Sequence, residues 1–177
     1  MNTEIPHNDP VTEEILKKRA QKLAKKISAG KNHLTKITVV EFRIAHEIYA
    51  LSLKRIRIIY PLKKLTFIPG APDFIKGVIN LRGEIISVVD LKNFFDLPNQ
   101  EFTNLSQVII LTSDKMEFGI LAEEILGVAE ISKNDIQPSL PTLTGIRADY
   151  LKGVTGDGRV VLDDKKLLTD KKMCINL

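Results

Sequence analysis

From residue 37 onward the chain alternates short apolar runs with turn signals, at a period that suits strands better than helices. ITVVEFRI (residues 37–44) and EIYALSL (residues 47–53), joined by Ala45 and His46, predict an opening β-hairpin. LKRIRIIY continues as a short helix or strand until Pro61, Pro69, Gly70 and Pro72 force an irregular connection. FIKGVINL and EIISVVDL are interrupted only at Arg82 and Gly83, which predicts strand, tight turn, strand. KNFFDLP then gives a short helix end or turn. QVIILTSDKMEFGILAE predicts a further hairpin turning at residues 113–115, ILGVAEIS another strand, and KNDIQPSLPTL a proline-broken loop. YLKGV, a turn at Gly156, Asp157 and Gly158, RVVLDD and a short terminal helix in KKLLTDKK close the chain. Many short strands separated by turns point to small barrels or a sandwich and away from a parallel sheet.

The pattern before residue 37 is helical. Asp9 suits an N-cap, Pro10 the first turn, Glu13 and Glu14 the positive end of the helix, and Gly30 a stop, so a helix is predicted over about residues 9–30. Val11, Ile15, Leu16, Ala20, Leu23, Ala24 and Ile27 share one face, with Lys17, Lys18, Lys22, Lys25 and Lys26 largely elsewhere. Such a face either docks on the body of the same chain or binds a partner; without an aromatic residue it suits a membrane surface poorly. The expected organisation is an extension over residues 1–36 and a β domain over residues 37–177.

Charge changes the picture only through its distribution. The net charge of +4 invites a nucleic-acid reading. Residues 1–36, however, hold eight Lys and Arg against four Asp and Glu, while residues 37–177 hold eighteen of each. The predicted β domain is therefore neutral, with no net field to attract a polyanion. The one cysteine, Cys174, has no partner for an intramolecular disulfide and fits a reducing compartment. No apolar run approaches the roughly 20 residues of a membrane helix, and MNTEIPHNDP lacks the basic and apolar blocks of a signal peptide. A soluble, cytoplasmic protein is expected.

Candidate catalytic chemistry is thin. His7, His33 and His46 fall in the tail, the linker and a hairpin turn, none beside an acid at ligand spacing. Cys174 has no base near it in sequence. GVTGDG is glycine-rich but lacks the GxxxxGK[ST] pattern and a following long helix, so a hairpin turn accounts for it. Asp163 and Asp164 precede a short helix, where capping explains them. No cofactor or metal site is expected. Lys54, Arg55, Arg57, Lys63 and Lys64, with Tyr60 and Phe67 near them, form the best nucleic-acid candidate, although a solvated barrel edge has the same composition.

The turn at Arg82 and Gly83 carries more information. Gly83 accommodates a positive φ, Asn80 and Arg82 offer directional hydrogen bonds, and an arginine set among apolar strands is a common interface anchor. These residues also carry a resemblance. GVINLRGEIISVVDLKNFF, preceded by PDFIKG, resembles the hallmark segment of CheW-like domains, the coupling proteins that join chemoreceptors to the histidine kinase CheA. VVEFRIAHEIYALSLKRIRII, VIILTSDKMEFGILAEEILGVAEI, YLKGV and LDDKKLL extend the likeness over about residues 38–168.

The resemblance implies a mainly β fold of two small SH3-like five-stranded β-barrels around a shared core, with no enzymatic activity and no cofactor. It implies two partners, the tip of a receptor's helical hairpin, received in a groove between the barrels, and the regulatory domain of CheA, at receptor arrays on the inner face of the membrane. Carried over by position, Arg82 lies at the receptor-facing surface, Asn80, Leu81 and Gly83 shape its turn, and Leu53, Ile56 and Ile58 neighbour the groove. Three departures stand against the family pattern: Ile58 replaces a usual glutamate, Ser87 a common proline, and GDGRVVLDD is a few residues shorter than usual, which leaves partner choice open.

Overall fold

A computed structural model of the chain describes residues 36–97, 107–138 and 146–174. The helix expected over about residues 9–30 lies outside the described residues. Eleven strands are present among them: β1 Lys36–Ile44, β2 Glu47–Ser52, β3 Ile56–Pro61, β4 Ile75–Leu81, β5 Glu84–Val89, β6 Gln107–Thr112, β7 Glu117–Ala122, β8 Glu124–Ser132, β9 Ile136–Gln137, β10 Leu151–Thr155 and β11 Val160–Leu162. Three one-turn helices, α1 Leu91–Phe94, α2 Ile146–Asp149 and α3 Asp164–Leu167, accompany them. The local reading of the apolar runs thus gives each strand but one its place, including LKRIRIIY, which divides into a 3-10 turn at Leu53–Arg55 and β3. The exception is the two-residue β9, which falls in the stretch read as a proline-broken loop and exists only by pairing with β10.

The strands form two sheets, β3-β6-β7-β5-β4 and β8-β1-β2-β11-β10-β9. In the first, Thr66, downstream of β3, bridges Val78 of β4 through N–H···O=C bonds of 2.9 and 2.8 Å, so the chain that leaves one edge strand returns to the other. In the second, β8 leads through a 3-10 turn at Lys133–Asp135 into β9, which pairs with β10 at the far edge. Each sheet is thereby closed by the continuation of its own edge strand, which makes two small SH3-like barrels. The sixth strand of the second barrel is the two-residue β9, the counterpart of the Thr66 bridge.

Both closures depend on a glycine. Gly77 has φ +147 and a Cβ there would sit 2.2 Å from the Thr66 carbonyl oxygen; Gly153 has φ +152 and would meet the Gln137 oxygen at 2.0 Å. The two sites belong to a repeated device, Phe74-Ile-Lys-Gly-Val and Tyr150-Leu-Lys-Gly-Val. Asp90 N–H donates to the Phe74 carbonyl and Asp163 N–H to the Tyr150 carbonyl, each at 2.7 Å. Asp90 then caps α1 by accepting from Lys92 N–H at 2.9 Å, and Asp163 caps α3 by accepting from Lys165 and Lys166 N–H at 3.0 and 3.2 Å. Lys76 faces Asp90 at 3.7 Å, and Lys152 pairs with Asp164.

Burial on both faces explains why the strands read as near-continuous apolar runs. In β6, Val108 and Ile110 point into the first barrel while Ile109 and Leu111 point into a core shared by both. That shared core takes Phe42, Ile44, Tyr49 and Leu51 from the second barrel, and Phe94, Phe95, Leu167 and Leu168 from the repeated helical turns. A buried side chain of this size stabilises the fold by about 1.5–3 kcal/mol, so the core shared by the barrels holds them together.

Tyr150 joins the repeat to that core. Its ring packs edge-on to Phe94 at 5.0 Å, and its hydroxyl donates to Asp170. Burial, and then the Asp170 carboxylate, push the phenol up to about 12 from 10.0. The folded chain therefore keeps this proton after the unfolded chain has lost it, so the contribution is full below pH 10 and lost as pH rises towards 12. Urea titrations across that window should show a shallower loss of stability for Tyr150→Phe than for the unmodified chain.

Candidate partner-binding site

The β4–β5 hairpin is closed by the pair Leu81 and Glu84, which leaves a two-residue loop of Arg82 and Gly83. Both have positive φ, +56 and +95, as a type I′ turn requires. Asn80 steadies the loop from one side, its Oδ1 accepting from Gly83 N–H at 2.8 Å. Leu81 is buried beneath, in the interior of the first barrel. Arginine is an uncommon choice for a left-handed backbone position, where asparagine or glycine costs less. Arg82 is exposed and makes no ion pair or side-chain hydrogen bond among the described residues. Ile85, one residue beyond the closing pair, is 54% exposed. The hairpin tip therefore offers a cation and an apolar side chain together, a composition suited to a protein partner.

The other residues singled out from the sequence sit in different surroundings. Leu53 is exposed, on the 3-10 turn before β3. Ile56 and Ile58 follow it on β3, half-buried, with Ile56 packed against the shared core and Ile58 against the interior of the first barrel. Ser87 is buried within β5.

In the basic stretch after β2 the two arginines are held by carboxylates, while Lys54, Lys63 and Lys64 are exposed. Arg55 lies 3.7 Å from Asp164, and Arg57 reaches Glu84 at 2.7 Å and Glu117 at 2.8 Å. Tyr60 packs into the first barrel, so it offers no stacking platform, and Phe67 alone of the two aromatic candidates stands exposed. Glu41 and Asp157 hold Arg159 in a similar way in the second barrel. Hydrogen bonds from Arg159 and Thr155 hold the Asp157 carboxyl well below the usual carboxylate range.

Arg57 was read only as part of a basic stretch, and its pairing with two carboxylates escaped the sequence reading, because Glu84 and Glu117 lie far along the chain and no local pattern links them. Among the described residues no three His, Cys, Asp or Glu side chains group as metal ligands, and no helix is long and apolar enough to cross a membrane. Cys174 is half-buried, its Sγ donating to the Glu117 carbonyl at 3.2 Å, and burial pushes its thiol up.

A family model for the CheW-like domain matches residues 38–172. The chemotaxis protein CheW of Treponema pallidum is 30% identical over 142 residues, which cover 76% of this chain and 84% of that one. CheW of Thermotoga maritima is 29% identical over 143 residues, covering 77% and 91% respectively. Among solved structures, the scaffolding protein TtCheW of Thermoanaerobacter tengcongensis superposes with a TM-score of 0.63 at 30% identity, over 71% of this chain and 83% of that one.

Proposed function

The chain belongs to the CheW-like domain family, and from that premise we propose that it is a non-catalytic adaptor joining chemoreceptors to a CheA-type histidine kinase. Its partners in this reading are the helical tip of a receptor's cytoplasmic region and the regulatory domain of the kinase. It acts by holding both at once, so receptor conformation reaches the kinase through interfaces and no bond is made or broken. It does so in the cytoplasm, recruited to receptor arrays at the inner face of the membrane. Arg82 is the residue assigned to the receptor-facing surface, with Asn80, Leu81 and Gly83 shaping its turn and Leu53, Ile56 and Ile58 bordering the groove.

The observation that carries this reading is the Arg82 turn, an exposed arginine kept at a left-handed position that it occupies at a cost. The nucleic-acid alternative draws no such support, since two of its arginines are already held by carboxylates. A reconstitution tests the reading. With receptor membranes and CheA, adding the chain should bring kinase autophosphorylation under receptor control; unchanged kinase activity would count against the adaptor role.

The domain organisation belongs to the same proposal: residues 37–177 form the adaptor and residues 1–36 an appended segment. Deleting residues 1–30 should leave the thermal unfolding midpoint within about 2 °C of the full chain, as a change outside the packed core does. A large loss of thermal stability would assign the segment to the core.

A further inference from the structure

Arg57 occupies an unusual place in the first barrel. It lies on β3, at the bulge between Ile56 and Ile58, at one edge of the sheet order β3-β6-β7-β5-β4. Glu117 opens β7 and Glu84 opens β5. In a flat sheet β3 and β5 would stand about 14 Å apart, three spacings of roughly 4.8 Å. Yet the guanidinium Nη1 lies 2.7 Å from Glu84 and 2.8 Å from both oxygens of Glu117. Arg57 thus spans the open end of the curled sheet and ties three strands across it. Hydrogen bonds to Glu117 and then to Glu84 hold its guanidinium above the ordinary arginine range.

The position of Glu84 gives the clamp its functional meaning. Glu84 pairs with Leu81 and so forms the base of the turn that carries Arg82. It is also the acid nearest to Arg82 in sequence. Once Arg57 holds its carboxylate, Glu84 both anchors the turn and is kept from neutralising Arg82.

We propose that Arg57 is the positioning residue of the partner site: its clamp on Glu84 and Glu117 sets the base of the β4–β5 hairpin and leaves the Arg82 charge for a carboxylate on the partner. This rests on the reading of Arg82 as a receptor contact. The clamp is solvent-exposed, so its influence is modest and screened by salt.

A double-mutant cycle tests it, with the full chain titrated calorimetrically by a chemoreceptor cytoplasmic fragment at low and at physiological salt. Arg57→Gln should weaken binding about threefold, and Arg57→Lys less, because an ammonium engages one carboxylate where the guanidinium engages two. In an Arg82→Ala background Arg57→Gln should change nothing further. Equal weakening in both backgrounds would mean that Arg57 serves only the fold, and no weakening in either would mean that the clamp is idle; each overturns the inference while leaving the adaptor reading intact. Undiminished binding by Arg82→Ala itself would overturn the site assignment, and the inference with it.

Discussion

Arg82→Glu is expected to reduce affinity for a receptor cytoplasmic fragment at least about tenfold, the scale of losing a central interface anchor and setting a like charge in its place. Folding should be retained. Arg82 has no hydrogen bond or ion pair among the described residues and its side chain stands in solvent, so the change removes no contact of the barrel. The left-handed backbone at φ +56 is as unfavourable for glutamate as for arginine, so this cost is the same before and after. Arg82→Asn separates charge from backbone, because asparagine suits the turn. It should bind as poorly as an uncharged variant while unfolding at the same temperature as the unmodified chain or slightly higher. Circular dichroism melts and calorimetric titrations on the same preparations would check both. Undiminished binding by the glutamate variant would show that the hairpin tip is not where the receptor docks, and its unfolding would show that Arg82 serves the fold.

The second large effect is on stability. Gly77→Val is expected to cost on the order of 3 kcal/mol or more, a fall of about 10 °C in melting temperature for a domain of this size. The causes add. The position has φ +147, and the new Cβ would meet the Thr66 carbonyl oxygen at 2.2 Å and force apart the two hydrogen bonds that close the first barrel. Gly153→Val meets the Gln137 oxygen at 2.0 Å with φ +152 and should be damaged to a similar extent. Gly70→Ala is the control, since its Cβ meets nothing within 4 Å although its φ is also positive. If Gly77→Val and Gly70→Ala cost the same, backbone strain alone would explain the loss and the closure would contribute little.

What the sequence disclosed follows from the range of the forces involved. Hairpins and turns are local: Ala45 and His46, Arg82 and Gly83, and Ser113 to Lys115 each join adjacent strands, so apolar runs with turn residues between them suffice. Burial on both faces likewise leaves its mark, as in VIIL of β6, where alternate side chains enter different cores. The assignment of strands to barrels is not local. β8 follows β7 after Glu123, yet it pairs with β1 in the other sheet, and nothing in ILGVAEIS announces the crossing. The internal repeat is visible once Phe74 and Tyr150 are aligned, but its second copy has shorter strands, a longer turn between them, and Leu167 and Leu168 in place of the Phe94 and Phe95 pair, which hid the likeness.

The candidate site divides in the same way. Asn80, Leu81, Arg82 and Gly83 form one turn and were legible as a unit. Leu53, Ile56 and Ile58 came from family resemblance, and the packing shows what pattern alone could not, that Ile56 and Ile58 turn towards two different apolar clusters while Leu53 faces solvent. The partners of Arg57 were beyond reach, because an ion pair across the end of a barrel exists only after the sheet has curled.

The central claim is simultaneous attachment, and a sedimentation measurement tests it most directly. The full chain, a CheA regulatory domain and a receptor cytoplasmic fragment are mixed at matched concentrations and run together and in pairs. The adaptor reading predicts that the chain co-sediments with each partner alone and that all three travel as one complex; failure to bind either partner would contradict it.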